Sequence, residues 1–321
     1  MPAVKRPLHG SRAFYPRVRA RKAYPRVKSW GTLAEAKPLG FAGFKAGMTH
    51  AQVVDTNTNS KTKGQVVVRA VTVLDCPPIS VFGFNIYSKT PYGLKTTATI
   101  LSEKLDKNLE RKYGAKKIKP SEEKLKNVNK VSAVRLLVHT KPGFKKTPEV
   151  FELGVGGTPE KQLEYAKRII GKELKASEIL KAGDYVDVFA NSKGKGFQGP
   201  VKRFGVRILG RKFQQMHRHT GSLGTTEPGK IRSTVPAAGQ MGWQSRMEFN
   251  KKILKIDDGK KVAIAGGFLR YGNISGEAVV IDGSVVGTSK RLVRLRLSIR
   301  APQTRYPVDL KSLSLSSKQG V

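Results

Sequence analysis

Three segments of the chain resemble motifs that bind phosphate or metal. Residues 194–199 read GKGFQG and fit GxGxxG, in which glycines let the backbone approach a dinucleotide pyrophosphate. Residues 224–230 read GTTEPGK and fit GxxxxGK, whose loop cradles nucleotide phosphates. His217 and His219 stand two positions apart, as a pair of metal ligands could. Each motif, if functional, would indicate a nucleotide-dependent or metal-dependent enzyme.

The residues around these motifs argue against all three interpretations. Pro200 and Lys202 follow the first motif where an apolar helix is required, and no carboxylate stands about 20 residues further on to bind a ribose. Ile231 occupies the position of the Ser or Thr that binds magnesium in the second motif. Arg218, between the two histidines, would repel a metal cation. We therefore predict no enzyme, no cofactor, no metal site and no small-molecule substrate, and glycines that let the backbone approach RNA.

The net charge of the chain indicates a polyanionic partner. Its 321 residues include 61 Lys and Arg against 23 Asp and Glu, which gives a formal charge of +38. Nucleic acid would neutralise this self-repulsion, and an anionic membrane is the rival partner. The sequence has no apolar run of about 18 residues and no signal-peptide pattern after its basic N-terminus. Since Cys76 is the only cysteine, an intramolecular disulfide is excluded. The sequence predicts a soluble, intracellular protein that binds nucleic acid and not membrane.

Residues 1–37 predict a basic N-terminal extension. The first 30 residues contain nine Lys and Arg, the first carboxylate is Glu35, and four prolines oppose helix formation. An ordinary disordered tail is one interpretation of such composition. A tail that becomes ordered on RNA is the other, and it is favoured by aromatic residues that could stack on bases. These aromatic residues are Phe14, Tyr15, Tyr24 and Trp30.

The remaining sequence predicts a mainly β fold with an α insertion. Short β-branched and apolar runs, separated by Gly and Pro, predict an antiparallel β-barrel or sheet body in residues 38–100, 183–204 and 248–321. Residues 101–182 carry about half of the carboxylates and the best helix signals. Ser102 and Thr158 are candidate N-caps, Pro159 suits a first turn, and Gly114 and Gly171 suit helix ends. We therefore predict that this insertion is mixed but mainly helical.

Residues 205–247 predict an extended RNA-binding finger. This span contains seven glycines and almost no apolar periodicity, which is uncommon inside a compact domain. Two limbs of about 20 residues could reach roughly 60 Å at full stretch. The finger would therefore project basic side chains into folded RNA.

A strand near the C-terminus shows regular alternation. Val293 and Leu295 fall on one face, and Arg294 and Arg296 fall on the other. One face could enter the core while the other binds phosphate, although a solvated strand face is the alternative. The full set of predicted RNA-binding residues follows. It comprises Arg12, Arg17, Arg19, Arg21, Lys22, Lys45, Lys193, Lys195, Lys202, Arg203, Arg207, Arg211, Lys212, His217, Arg218, His219, Lys230, Arg232, Gln240, Trp243, Arg246, Lys290, Arg291, Arg294 and Arg296.

Four ordered motifs resemble a known family. Residues 39–50 (LGFAGFKAGMTH) and residues 187–190 (DVFA) running into 193–199 (KGKGFQG) are the first two. Residues 238–242 (AGQMG) and 290–294 (KRLVR) complete the series. Together these motifs resemble the universal third protein of the large ribosomal subunit, over roughly residues 38–300. The chain length and the insertion are similar to the archaeal form of that family.

The resemblance implies a ribosomal protein in the cytoplasm, with an elongation-factor-like β-barrel, an N-terminal extension and a finger that reaches toward the peptidyl transferase centre. It also implies binding to large-subunit (23S-type) rRNA near its 3′ domain, early in assembly. Neighbouring large-subunit proteins, including the fourteenth, would be partners. The implied finger tip spans about residues 223–230. Relatives often carry Trp there, whereas this chain reads TTEP at residues 225–228.

Two other classes of protein are alternatives to a ribosomal protein, and each can be distinguished from it by a specific test. An RNA-modifying enzyme with a basic finger would retain a bound cofactor when purified. A DNA architectural protein would prefer duplex DNA over rRNA at fixed salt, because the grooves of B-form and A-form duplexes differ in width and depth.

Overall fold

The computed structural model describes residues 10–103, 105–113, 131–225, 227, 229–317 and 319. The chain divides into two compact units. The small unit comprises Met1–Ala23 and Asn191–Arg246, and the large unit comprises Tyr24–Ala190 and Met247–Val321. The unit boundaries differ from the predicted segment boundaries, because residues 24–37 belong to the large unit and residues 191–204 to the small one.

Strands dominate the secondary structure, so the prediction of a mainly β fold is confirmed. The strands are β1 (Gly40–Val54), β2 (Val66–Cys76), β3 (Ile79–Thr90), β4 (Gly93–Leu101), β5 (Ala133–Thr140), β6 (Val150–Gly154), β7 (Glu173–Leu174), β8 (Tyr185–Asn191), β9 (Phe197–Gln198), β10 (Gly239–Gln240), β11 (Ser245–Asp258), β12 (Glu277–Asp282), β13 (Leu292–Leu297) and β14 (Asp309–Leu313). The helices are α1 (Glu110–Tyr113), α2 (Pro159–Ile169), α3 (Ala176–Ile179), α4 (Pro200–Phe204) and α5 (Gly259–Val262), with 3-10 turns at Arg12–Phe14 and Lys107–Leu109. Among the residues described, no helix is long and apolar enough to span a membrane.

Seven strands form a sheet in the order β13–β8–β11–β12–β2–β1–β14. β13 also pairs with β1, so six of the strands form a closed ring of hydrogen-bonded neighbours, with β14 outside it. Leu295 of β13 lies opposite Phe41 of β1 and opposite Val188 of β8, and all three side chains are buried. The alternating apolar residues of these strands therefore supply the core of the large unit, as their period of two predicts.

A second sheet corrects the prediction for residues 101–182. Its strand order is β4–β3–β5–β6, with β7 also paired to β3, so the described part of this segment supplies three strands as well as helices. The segment is not a separate, mainly helical insertion, because β3 of the predicted body pairs with β5 across the predicted boundary. β5 is almost wholly buried, so its sequence AVRLLVHT lacks the alternation that identifies a half-exposed strand.

Of the two helices predicted in this segment, one begins at the predicted residue and the other does not. α2 begins after Thr158 with Pro159 in its first turn, and Gly171 follows it at φ 79°, so this helix is confirmed. The Thr158 side chain makes no capping hydrogen bond. The other helical segment begins after Asp106 and not after Ser102. Asp106 accepts a hydrogen bond from the Asn108 backbone N–H at 3.2 Å, which makes it the capping residue. The predicted end of this helix, Gly114, lies outside the described residues.

Candidate nucleic-acid interface

The small unit concentrates the positive charge of the chain. Its two sequence segments contain eighteen Lys and Arg but a single carboxylate, Glu227. Most of the predicted RNA-binding residues here have exposed side chains. These are Arg12, Arg19, Arg21, Lys22, Lys193, Lys195, Lys202, Arg207, Arg211, Lys212, Arg218, Lys230 and Arg232. An exposed cationic surface with so few carboxylates fits the electrostatic footprint of a protein that binds phosphates.

Arg203 holds three parts of the small unit together. It lies in α4, a five-residue helix that Gly205 ends at φ 67°. Its Nε and Nη1 atoms donate hydrogen bonds to the carbonyl oxygens of Gln240 (3.1 Å) and Ala237 (2.9 Å). Its Nη2 atom donates to the carbonyl oxygen of Arg17 at 3.2 Å. Because these donors contact backbone, Arg203 positions neighbouring segments of the unit and is a poor candidate for direct phosphate contact.

Aromatic rings in the small unit stack on arginines. Tyr15 and Phe204 stack with ring centroids 6.4 Å apart, and the Arg17 guanidinium lies 4.3 Å from the Phe204 centroid. Arg246 lies 4.7 Å from the centroid of Phe14. In this conformation Tyr15 therefore packs within the protein, whereas Phe14 is 53% exposed.

Trp243 and Gln240 also contact protein backbone. The Trp243 indole Nε1–H donates to the carbonyl oxygen of Ala20 at 3.0 Å, and Arg19 lies 5.3 Å from the indole ring. The Gln240 side-chain amide donates to the carbonyl oxygens of Met241 and Gly242 at 3.1 and 3.0 Å. Their predicted role in RNA binding is thus accompanied by a structural role, because they fix the backbone on which the exposed cations stand.

The two histidines lie within one part of the small unit. His219 contacts the carbonyl oxygen of Thr220 through Nδ1 at 2.6 Å, and the Thr220 hydroxyl donates to the carbonyl oxygen of Pro236 at 2.6 Å. The carbonyl oxygen of His217 accepts a hydrogen bond from Leu209 at 3.0 Å. These contacts tie the segment around residue 220 to the returning chain near residue 236.

A cleft of about 550 Å³ lies within the small unit. Its lining combines five cationic side chains with neutral residues. The cations are Arg17, Lys193, Lys195, Arg203 and Arg246, and the neutral residues are Phe14, Ser192, Gln240, Met241, Gly242 and Gln244. Ser192 and Gln244 were not among the predicted site residues, because neutral side chains in basic segments carry no charge signal. Phe14 was predicted only as an aromatic residue that could stack on bases. For Ser192 and Gln244, the sequence feature that could have identified them is their position beside the glycine-containing motifs at residues 194–199 and 238–242.

Arg294 and Arg296 contradict the prediction that one face of β13 binds phosphate. Both side chains are 3% exposed. Arg294 donates to the carbonyl oxygens of Pro25 and Glu152, and burial lowers its pKa to about 10. Arg296 donates to Ser29, through the carbonyl oxygen at 2.8 Å and the hydroxyl at 2.9 Å. It also forms a buried ion pair with Asp187. These arginines bind the N-terminal segment of the large unit and are unavailable to RNA in this conformation.

The prediction that Lys45 binds RNA is also wrong because its side chain is buried, whereas the nearby Lys290 and Arg291 remain candidate RNA-binding residues. Its side chain is 8% exposed, and its ammonium donates to the carbonyl oxygen of Val285. Lys290 is exposed and lies 5.9 Å from the Phe144 ring. Arg291 is half-buried, and burial lowers the pKa of its guanidinium. Tyr24 and Trp30 also pack within the large unit, since Tyr24 is 6% exposed and Trp30 lies near Arg294.

Gly242 provides a test of how closely the cleft backbone is packed. Its φ is 73°, and an added Cβ would lie 2.0 Å from the carbonyl oxygen of Lys193. Gly196→Ala is the matched control, since Gly196 has φ 67° but open space around the added Cβ. We expect Gly196→Ala to cost about 1–2 kcal/mol from backbone strain. Gly242→Ala should cost at least about 1 kcal/mol more, because the Lys193 backbone must move.

Amide hydrogen exchange across residues 191–246 measures the stability loss of Gly196→Ala and of Gly242→Ala, since both glycines lie in the small unit. Equal losses of protection in the two variants would contradict the close approach at Gly242.

Comparison with known proteins identifies the family of the chain. A family model described as Ribosomal protein L3 matches residues 1–320. The chain is 44% identical to the large ribosomal subunit protein uL3 of Archaeoglobus fulgidus, over 98% of both chains. It is 46% identical to the uL3 protein of Methanothermobacter thermautotrophicus and 45% identical to that of Methanobrevibacter smithii, again over 98% of each chain.

These matches assign the chain to the class of ribosomal proteins. Within that class, the chain belongs to the ribosomal protein L3 family. The resemblance found in the four sequence motifs is thereby confirmed. Members of this family are structural proteins of the large ribosomal subunit in the cytoplasm, and not enzymes.

Proposed function

We propose that the chain binds large-subunit (23S-type) rRNA mainly through its small unit and supports early assembly of the subunit. The observation that carries the proposal is the concentration of exposed Lys and Arg in that unit, with Glu227 as the only carboxylate of its sequence. Phosphates dominate the affinity of such interfaces, because each neutralised phosphate releases counterions. Backbone fixed by Arg203, Gln240 and Trp243 would hold the cations at set positions, so that RNA shape is recognised as well as charge.

The finer architecture implied by the family is part of the same proposal. The closed ring of β1, β2, β12, β11, β8 and β13 would be the elongation-factor-like barrel, and residues 205–247 would be the finger that reaches toward the peptidyl transferase centre. Residues 1–37 would remain a functional N-terminal extension although they divide between the two units. The fourteenth large-subunit protein would be a neighbouring partner. Two residues of the proposed tip, Thr226 and Pro228, lie outside the described residues.

RNA binding should depend strongly on salt. We expect the affinity for a 23S-type rRNA fragment to fall about 10³–10⁵-fold between 50 and 200 mM salt, as for six to ten phosphate contacts. Filter binding or fluorescence anisotropy over a salt series measures the slope, with duplex DNA of equal length as competitor. A nearly flat slope, or preference for the DNA, would overturn the proposal.

The position of the finger can be tested with a tethered cleavage reagent. Cys76 is 1% exposed, so a chelated iron reagent should attach selectively to an engineered surface cysteine. Leu223→Cys, at a side chain 45% exposed, should direct hydroxyl-radical cleavage to rRNA of the peptidyl transferase centre in assembled subunits. Lys61→Cys, an exposed position in the large unit, is the control and should cleave elsewhere. Identical cleavage patterns from the two positions would contradict the finger assignment.

A further inference from the structure

The lining of the cleft in the small unit carries positive charge that no carboxylate of the lining balances. Of its lining residues, five are cationic and none is a carboxylate. Burial, and secondly the charge of Arg17, lowers the pKa of both Arg203 and Arg246. Like charges held together in a half-buried space are destabilising unless an opposite charge joins them. The cleft is therefore electrostatically suited to an anion.

The walls of the cleft are fixed by backbone contacts. The Lys195 N–H donates to the carbonyl oxygen of Met241 at 3.0 Å, and the Met241 N–H donates to Gly196 at 2.9 Å. β9 pairs with β10 beside them, and Arg203 bridges to the chain at Gln240. Lys193 and Lys195 thus stand on a loop whose backbone is held in place, with both side chains exposed.

Arg17 and Arg246 are held by aromatic rings and a few hydrogen bonds, which leaves N–H donors of each guanidinium available to a ligand. Among the described residues, Arg17 donates one hydrogen bond, to the carbonyl oxygen of Arg203 at 3.3 Å, and its guanidinium stacks on Phe204. Arg246 donates two, to the Ser245 carbonyl and the Gln244 side chain, both at 3.0 Å. A guanidinium carries five N–H donors in a planar fork that matches phosphate oxygens. Stacking fixes that plane and leaves further donors for a ligand.

We propose that this cleft is a phosphate site that takes one phosphodiester group of the RNA backbone. Arg17 and Arg246 donate to the phosphate oxygens, Lys193 and Lys195 neutralise its charge at the rim, and Arg203 holds the walls. Phe14, exposed at the cleft, packs against the adjoining sugar or base. The site rests on the proposed function and goes beyond it, because it assigns one discrete contact within a large basic surface.

The first experiment uses inorganic phosphate as the probe. The full-length chain is titrated at constant ionic strength, with chloride replaced by phosphate, and binding is followed by phosphorus NMR. We expect saturable binding that weakens at least about tenfold in Arg246→Gln, as loss of a charge-assisted hydrogen bond implies. Arg300→Gln is the matched control, because Arg300 lies 5.8 Å from the ring of Phe249, itself 45% exposed, and is remote in sequence from the cleft.

A second pair of variants guards against misfolding. Lys193→Gln/Lys195→Gln removes two exposed cations two positions apart, and Lys61→Gln/Lys63→Gln removes the same charge at the same spacing in the large unit. The cleft pair should weaken phosphate binding, and the control pair should not. Equal effects of the two pairs, or phosphate binding that does not saturate, would overturn the site.

The RNA measurement separates this site from the proposed function. At constant ionic strength, phosphate should lower rRNA affinity in the wild-type chain more than chloride does, and Arg246→Gln should abolish that difference. If phosphate saturates the cleft without affecting rRNA affinity, the cleft is a site for free phosphate, and the RNA assignment is overturned. If the wild-type chain binds rRNA and the cleft and control variants weaken that binding equally, the site fails while the proposed function stands. If the wild-type chain does not bind rRNA, both fail.

Discussion

Replacement of residues 207–235 by a short Gly-Ser loop is expected to leave the chain folded and to reduce the salt dependence of rRNA binding sharply. The replaced segment carries six candidate phosphate contacts, namely Arg207, Arg211, Lys212, Arg218, Lys230 and Arg232. Each contact contributes about 0.7–0.9 to the slope of log affinity against log salt, so the slope should fall by about 4–5. Loop closure costs change slowly with length, so the shorter loop should not oppose folding.

The boundaries of this replacement follow from the contacts of Arg203. Ala237 and Gln240 accept hydrogen bonds from its guanidinium, so they are retained together with β10. A thermal melt of the free protein and rRNA titrations over salt are the two measurements. Cooperative melting with unchanged affinity and slope would show that residues 207–235 do not engage RNA. Failure to fold would show that they belong to the core.

The second large effect is expected at the buried ion pair of the ring. Asp187 is fully buried, contacts Arg296 through Oδ2 and accepts the Asn250 backbone N–H through Oδ1 at 3.1 Å. Asp187→Ala leaves the Arg296 charge buried without its partner, which should lower the free energy of unfolding by about 3–5 kcal/mol. Chemical denaturation followed by circular dichroism measures the loss.

Two comparisons identify the cause of that loss. Asp309→Ala removes an exposed partner of Lys311, at 3.4 Å, and should cost less than about 1 kcal/mol. The double variant Asp187→Leu/Arg296→Leu should be more stable than Asp187→Ala, because no uncompensated charge remains. A double variant that is as unstable as the single one would mean that packing, and not the unpaired charge, dominates at this position.

The sequence predicted features that depend on local patterns. The β character of the body follows from alternation and turn residues, and α2 follows from Pro159 in its first turn and Gly171 after its end, whose effects are confined to a few neighbouring residues. The family was recognised because four motifs occur in order. The basic character of the segments 1–37 and 205–247 was also evident from composition. The grouping of residues 1–23 with residues 191–246 into one unit was not, because it depends on contacts distant in sequence, such as that of Ala20 with Trp243.

The errors arose where tertiary contacts determine which side of a strand is covered. The alternation of β13 shows that Arg294 and Arg296 share a face, but not that Pro25 and Ser29 cover it. A basic strand face that binds RNA and one that binds backbone carbonyls have the same sequence pattern, because both need guanidinium donors. β5 was missed for a related reason, since burial on both faces removes the alternation that marks a strand.

The hydrogen bonds that Arg294 and Arg296 of β13 donate to Pro25 and Ser29 have a consequence for the synthesis of this protein. Pro25 and Ser29 precede their arginine partners by 269 and 267 residues. At about 5–20 residues per second, the segment leaves the translating ribosome on the order of tens of seconds before Arg294 and Arg296 exist to receive it. Every nascent chain that ends before β13 therefore lacks the anchor for its own beginning. The segment that contains Pro25 and Ser29 is therefore synthesised well before the two arginines that hold it.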